Sequence, residues 1–342
     1  MSPSLALAAL AASAALAASP GHPARGQRPP PSRTAPRAAD PAGERLGALA
    51  AELARDRRGP RGVGLVGELA ALADEAPDLS RIAAVLAQTA DDRAAHPEVR
   101  ALARVRLADL ERARGNPRRS AALLRRMGFV QAWRVAGPFD DEGKKGFETA
   151  FPPERGIDLA AAMPGKVREV AWRELPQEAV VDGFVHLGAA LRPSREVVAY
   201  ALALVEAARD ERVRLWFGGS GAAKVFVNGV LALSDPGYHP ARLDQRAADV
   251  TLRKGANRIL VKLCHQSGRF GFVLRLADAR GDGRTFPAAD PAAPAQAPGA
   301  APAPVETAVA ALERRARAAR GTADEAPARI DLALALWEKQ SA

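Results

Sequence analysis

The sequence predicts a multidomain α + β chain in which an antiparallel β-sandwich lies between α-helical hairpin segments. Three observations carry that expectation. Between Arg212 and Leu276 short apolar runs follow the two-residue period of strands and are separated by Gly- and Asn-containing turns. On both sides, from Ala42 to Met127 and from Val305 to Lys339, leucines recur at the three- to four-residue spacing of helices with one buried face. Aromatic residues make up only 5% of the 342 positions and concentrate between Phe129 and Phe286, so the best-packed core belongs to the central segment.

Residues 1–19 read as a signal peptide: Leu5 to Ala18 is an unbroken run of Ala, Leu and Ser, too short to span a bilayer, with a small-residue cleavage site at Ala15-Leu16-Ala17. Met1 to Leu5 lacks the usual Lys or Arg. The run implies export. Residues 20–41 are Pro, Arg, Ala and Gly with almost no large apolar side chain, the composition of a disordered linker. Residues 42–127 form a helical, repeat-like segment. Leu46, Leu49 and Leu53 mark one helix, and Leu65, Leu69 and Leu72 a second after the Arg57-Arg58-Gly59-Pro60 break. Ile82 and Leu86 belong to a third. Pro97 opens a fourth, stopped by Gly115-Asn116-Pro117, and Ser120 to Met127 is a fifth.

The sandwich is expected over residues 128–280. Val213, Leu215 and Phe217 alternate with Arg212, Arg214 and Trp216 on a strand that ends at Gly218-Gly219-Ser220-Gly221. Asn228-Gly229, between Val225–Val227 and Val230–Leu233, has the sequence of a type I′ hairpin turn, because both positions need positive φ. Val250-Thr251-Leu252 and Ile259–Leu263, joined through Lys254-Gly255-Ala256-Asn257, read as another strand pair, and Gly271–Leu276 closes the series. An Ala/Pro linker in extended conformation is expected over 281–304, followed by a helical hairpin over 305–342. That hairpin offers Leu312, Leu332, Leu334, Leu336 and Trp337 for packing, with no evident partner, as at the start of further repeats.

The strand order resembles galactose-binding-like jelly-roll domains, which accompany bacterial glycoside hydrolases and other secreted proteins. The matching stretches are Lys224–Gly229, Asp244-Gln245, Lys254–Lys262 and Phe270–Leu276, with Trp133–Phe139 as the opening strand. The resemblance implies a fold and leaves the ligand open. Leu102–Ala108 followed by Gly115–Ala121 resembles tetratricopeptide-type repeats, without their usual aromatic positions, so a generic helical bundle is the other reading.

A net charge of +10 invites a nucleic-acid partner, but basic residues are interspersed with acids, as in Glu111-Arg112-Ala113-Arg114, and no nucleic-acid motif accompanies them. The single cysteine, Cys264, excludes an internal disulfide and a thiolate cluster. Cys264 and His265 are neighbours on a strand and point to opposite faces, against a nucleophile–base pair. The five histidines show no ligand spacing, and nucleophile-elbow, Walker and dinucleotide motifs are missing. No cofactor is implied, and no run beyond the N-terminus is long enough to cross a membrane.

Two regions are candidate sites. The loop Ser234–Ala248 carries Tyr238, Arg242 and Asp244, an aromatic face and planar polar groups of the kind that bind sugar hydroxyls, with Trp216 as a second stacking ring. Against this, Asp244 and Gln245 would cap the turn into the next strand, and Trp216 would pack under a covering helix or loop. Asp140, Asp141 and Glu142 offer hard oxygens for calcium, or form a solvated acidic turn in which Lys144 and Lys145 compete for the carboxylates; no metal is expected. The chain reads as a non-catalytic interaction module of an exported bacterial helical-repeat protein, with a protein or cell-envelope polysaccharide as partner. The alternatives are a carbohydrate-binding accessory domain and the N-terminal part of a larger enzyme whose catalytic domain lies beyond residue 342.

Overall fold

A computed structural model describes residues 40–76, 78–294 and 296–341. The expected signal peptide and nearly all of the 20–41 linker lie outside the described residues. The N-terminal helices follow the leucine spacing, and α3 and α4 also carry side-chain N-caps. The first, α1 (Pro41–Asp56), buries Leu46, Leu49 and Leu53; α2 (Gly62–Ala71) runs into a 3₁₀ turn at Leu72–Asp74. In α3 (Leu79–Asp91) the Asp78 carboxylate accepts the Ser80 amide, and in α4 (Pro97–Ala113) His96 Nδ1 accepts the Glu98 amide ahead of Pro97. Gly115, at φ 79°, ends α4 in the left-handed conformation before α5 (Pro117–Arg125). Helix α3 packs on α4, and α4 on α5.

The sandwich strands are β1 (Arg134–Asp140), β2 (Ala162–Pro164), β3 (Glu169–Ala171), β4 (Arg173–Glu174), β5 (Val180–Val181), β6 (Phe184–His186), β7 (Val197–Ala207), β8 (Glu211–Gly219), β9 (Ala222–Val227), β10 (Val230–Asp235), β11 (Arg246–Leu252), β12 (Gly255–His265), β13 (Gly271–Ala277) and β14 (Ala303–Val305). Short helices α6 (Pro152–Arg155) and α7 (Leu187–Ala190) sit between them. Two six-stranded sheets, ordered β10-β9-β12-β7-β1-β4 and β14-β11-β8-β13-β6-β5, pair antiparallel throughout. Alternate residues meet in one core between them: Ala199, Ala201 and Ala203 of β7, Leu215 and Phe217 of β8, Ile259 and Val261 of β12, Phe272 and Leu274 of β13. The other face of β7 and β12 (Val198, Tyr200, Cys264) is covered by Phe139, Phe147, Met163 and Trp172. Both faces of these strands are therefore dry.

The turn at Asn228-Gly229 has φ 48° and 80° and pairs Val227 with Val230, the expected type I′ hairpin. Three other expectations are corrected. Val250–Leu252 and Ile259–Leu263 do not pair: β11 hydrogen-bonds to β8 in one sheet and β12 to β7 and β9 in the other, so Lys254 lies where the chain crosses between sheets. The 281–304 segment is no free spacer. Glu206 donates to the Pro287 carbonyl at 2.8 Å, Ala289 to the Leu204 carbonyl at 3.0 Å, and β14 joins the edge of β11, where a proline costs no ladder bond.

The terminal hairpin, α8 (Ala308–Ala318) and α9 (Glu325–Ser341), does have a partner. Helix α9 packs on α2, where a Cβ on Gly67 would fall 2.0 Å from Glu338 Cγ; glycine permits the approach. Leu312 and Ala335 join the cluster that holds Leu65, Leu69, Ile82 and Leu102, and Phe129 and Val273 of the sandwich belong to it too. No sequence period announces this contact, because it joins residues some 270 positions apart, as in the Arg61–Asp331 ion pair at 3.1 Å.

Candidate functional site

The long loop between β10 and β11 is tied at its base by a buried carboxylate. Asp235 accepts Gln245 Nε2 at 2.9 Å, lies 3.1 Å from His239 Nε2, and pairs with Arg246 Nε at 3.1 Å. Burial alone would raise its pKa; the His239 hydrogen bond and the Arg246 charge outweigh burial and hold it below the ordinary carboxylate range. The loop is thereby fixed against the sandwich, with Tyr238, His239 and Pro240 along one wall of a polar cleft of about 490 Å³. Gln266, Ser267, Gly268 and Arg269, between β12 and β13, line the same cleft, together with Ser220, Gly221 and Gln340.

Asp141 is fully buried behind this cleft. It accepts Tyr238 Oη at 3.1 Å, Gln266 Nε2 at 2.9 Å and the Gly146 amide at 3.0 Å, locking the two walls together. Burial raises its pKa against these hydrogen bonds, and burial also raises that of Tyr238. His265 is 2% exposed, stacks on Phe270 at 4.5 Å and sets Nδ1 3.0 Å from the Ser220 carbonyl. Its Nε2 is buried without a hydrogen-bond partner of good geometry, and burial lowers its pKa, which keeps the ring neutral.

Ser220 lies beside His265, but its hydroxyl exchanges bonds with the Gly271 backbone, donating to the carbonyl and accepting from the amide, both at 2.9 Å. The imidazole meets only the serine's backbone carbonyl, so this is no nucleophile–base pair. Cys264 is buried on the opposite face, its thiol pushed up to about 12 by burial and the Asp141 charge.

Of the residues chosen from sequence, Tyr238 lines the cleft; its ring is half-buried and carries the Lys144 ammonium 4.7 Å from its centre. Arg242 lies in an adjoining cavity with Arg269, so the structure does not bring Tyr238 and Arg242 to one pocket. Trp216 is 1% exposed, packed with Ala247, Ala277 and Val305 under the Arg275 and Arg214 guanidinium groups, and is no open stacking surface. Asp244 is buried in an ion pair with Arg275 and caps no turn. Asp140 and Glu142 both reach Lys166, at 3.0 and 3.2 Å, while Asp141 turns inward, so the three carboxylates do not face one point. Lys166, and neither Lys144 nor Lys145, is their cation. Among the described residues no cluster of three His, Cys, Asp or Glu side chains is placed to hold a metal. His239, His265, Gln266 and Arg269 were not chosen from sequence; the polar run Gln266–Arg269 between two strand signals was the available clue.

No protein-family model matches the chain, and no curated protein matches it. The fold is similar in part to a β-glucosidase from Kluyveromyces marxianus in complex with glucose, with a TM-score of 0.27 and 14% identity over 43% of this chain and 16% of that one. It is also similar to an anti-sigma factor domain-containing protein from Clostridium clariflavum, with a TM-score of 0.31 and 13% identity over 49% of each chain. This chain thus spans less than half of either structure's length, and likenesses this partial carry no argument about function. Among the described residues no helix is long and apolar enough to cross a membrane.

Proposed function

We propose that the chain is a non-catalytic interaction module of an exported bacterial helical-repeat protein, and that the polar cleft receives a hydroxylated partner, cell-envelope polysaccharide being the class it fits. The single observation behind this reading is the cleft's construction. Side chains from three separate segments, Tyr238 and His239, Gln266, and Gln340, line one cavity, and Tyr238 Oη and Gln266 Nε2 are held in place by buried Asp141 behind it. Polar side chains held in place around a half-buried aromatic ring are the lining that sugar recognition needs. The sandwich itself is taken as a galactose-binding-like jelly roll, a reading supported by two all-antiparallel six-stranded sheets and by the motif residues from Lys224 to Leu276. The helices are taken as tetratricopeptide-type pairs. Titrating the full chain calorimetrically with soluble cell-wall and plant polysaccharides tests the proposal. Saturable binding to at least one is expected; heat no greater than dilution across the panel would remove the glycan reading and leave a protein partner.

A further inference from the structure

Beside the polar cleft, and sharing Ala241, Arg269 and Gln340 with it, lies a second cavity of about 250 Å³ with a different lining. Leu124, Phe129, Val105 and Val273 form an apolar wall that joins the helical layer to β13. Two arginines, Arg242 and Arg269, face it.

Neither arginine has an ion-pair partner among the described residues. The Arg269 guanidinium lies over Phe184, 3.7 Å from the ring centre, and burial is the one influence on its proton affinity, which it lowers. Arg242 has its Nε buried without a hydrogen-bond partner. Burial also lowers its pKa, and the acids it feels, Glu313 and Asp235, act only through space; Asp235 is already engaged by Arg246 and His239.

Two carboxylates share the cavity wall, Asp109 and Asp182, and both are turned to other cations: Asp182 pairs with Arg112 at 2.8 Å, and Asp109 with Arg112 and Arg106 at 3.8 and 3.9 Å. The guanidinium charges at the cavity are thus unmatched. A buried donor of a cation without an anion is costly, and the Arg242 Nε is such a donor. A carboxylate would relieve that cost, because the planar fork of arginine presents parallel donors to such a group.

We propose that this cavity binds a small organic acid, its carboxylate held by Arg242 and Arg269 and its hydrocarbon body lying against Phe129, Leu124 and Val273. The proposal differs from the glycan reading in the chemical class bound and in its apolar wall of Leu124, Phe129, Val105 and Val273, which the polar cleft lacks. Because Arg269 borders both spaces, occupancy of one is felt in the other.

The test uses the full chain and three probes: hexanoate, 1-hexanol and inorganic phosphate, titrated by NMR chemical-shift perturbation. Hexanoate is expected to bind at least tenfold tighter than hexanol, which lacks the charge, and tighter than phosphate, which lacks the apolar body. R269Q changes an exposed loop side chain and is expected to fold as wild type while losing roughly tenfold in hexanoate affinity; R242Q is expected to lose as much, with an unchanged backbone spectrum as the check on folding. The proposal is overturned if hexanoate does not bind, if hexanol or phosphate binds equally well, or if R269Q retains wild-type affinity.

Discussion

Asp244 and Arg275 form a bidentate ion pair, Nε to Oδ1 at 2.7 Å and Nη2 to Oδ2 at 2.5 Å, in which each side chain is 1% exposed. The Asp244 carbonyl accepts Lys339 Nζ of α9 at 2.7 Å; Lys339 also pairs with buried Glu98 of α4, and Glu98 in turn accepts the Ala308 amide at the start of α8. One line of buried charge therefore ties the long loop, β13 and helices α4, α8 and α9. Arg275 adds a face over Trp216, 5.0 Å from the ring centre. The loop that shapes the cleft is held from the helical side by the residue that sequence reasoning had assigned to a ligand.

Removing one member of such a pair strands the other charge out of water, so Asp244→Ala and Arg275→Ala should each cost about 3–5 kcal/mol in denaturant unfolding. The double change Asp244→Ala with Arg275→Ala should cost less than the sum of the two single changes, since no lone charge of the pair remains. A loss under about 1 kcal/mol for either single variant would mean that the pair is solvated.

The hairpin at Asn228-Gly229 separates two effects. At Gly229 an added Cβ meets nothing within 4 Å, so Gly229→Ala suffers only from φ 80° and should cost about 1 kcal/mol. Asn228 also accepts the Arg258 amide at 2.9 Å and donates to buried Asn257 at 2.8 Å. Asn228→Ala removes the acceptor of the Arg258 amide, while Asn257 Oδ1 keeps the Arg253 amide, and should cost more, about 2–3 kcal/mol. Equal midpoint shifts for the two variants would show that the side-chain bonds add nothing.

Acid should loosen the loop through Asp235. Its folded pKa lies below its ordinary value of 3.8, so the folded protein binds the proton less readily than the unfolded chain. The stability it contributes is complete above pH 3.8 and is lost as the pH falls below that value. The stability gap between wild type and Asp235→Asn, followed by chemical denaturation, should be constant at neutral pH and shrink in acid. A gap that widens in acid would reverse the assignment.

Cys264 should be inert to thiol reagents in the native protein, because the reactive thiolate is suppressed by burial and a pKa near 12. Labelling with an aromatic disulfide reagent should therefore follow unfolding, its rate rising with denaturant in step with loss of structure. Stoichiometric labelling within the mixing time at neutral pH would contradict the packing of β12.

Local signals were legible in the sequence. The type I′ turn, the stops at Gly115 and the leucine stripes of α1 to α4 depend on residues within a few positions, and each forms as read. Facing was less legible. Alternation along β8 separates Leu215 from Trp216, but both sides of this strand are covered, so the alternation could not tell an open ring from a packed one. Long-range partners were not legible at all: Asp244 finds Arg275 31 residues on, and Asp141 finds Gln266 125 residues on. A loop's polarity advertises a surface; which loops meet is decided by the order of strands in the two sheets.

The central claim is that the cleft between Tyr238, His239 and Gln266 is the binding surface. The most direct measurement repeats the polysaccharide titration on His239→Ala and Gln266→Ala, with Trp337→Ala on the exposed side of α9 as control. The account predicts that the two cleft variants each lose roughly fivefold or more in affinity, about 1 kcal/mol, while the Trp337 variant binds as wild type. Undiminished binding by both cleft variants would place the partner elsewhere on the molecule.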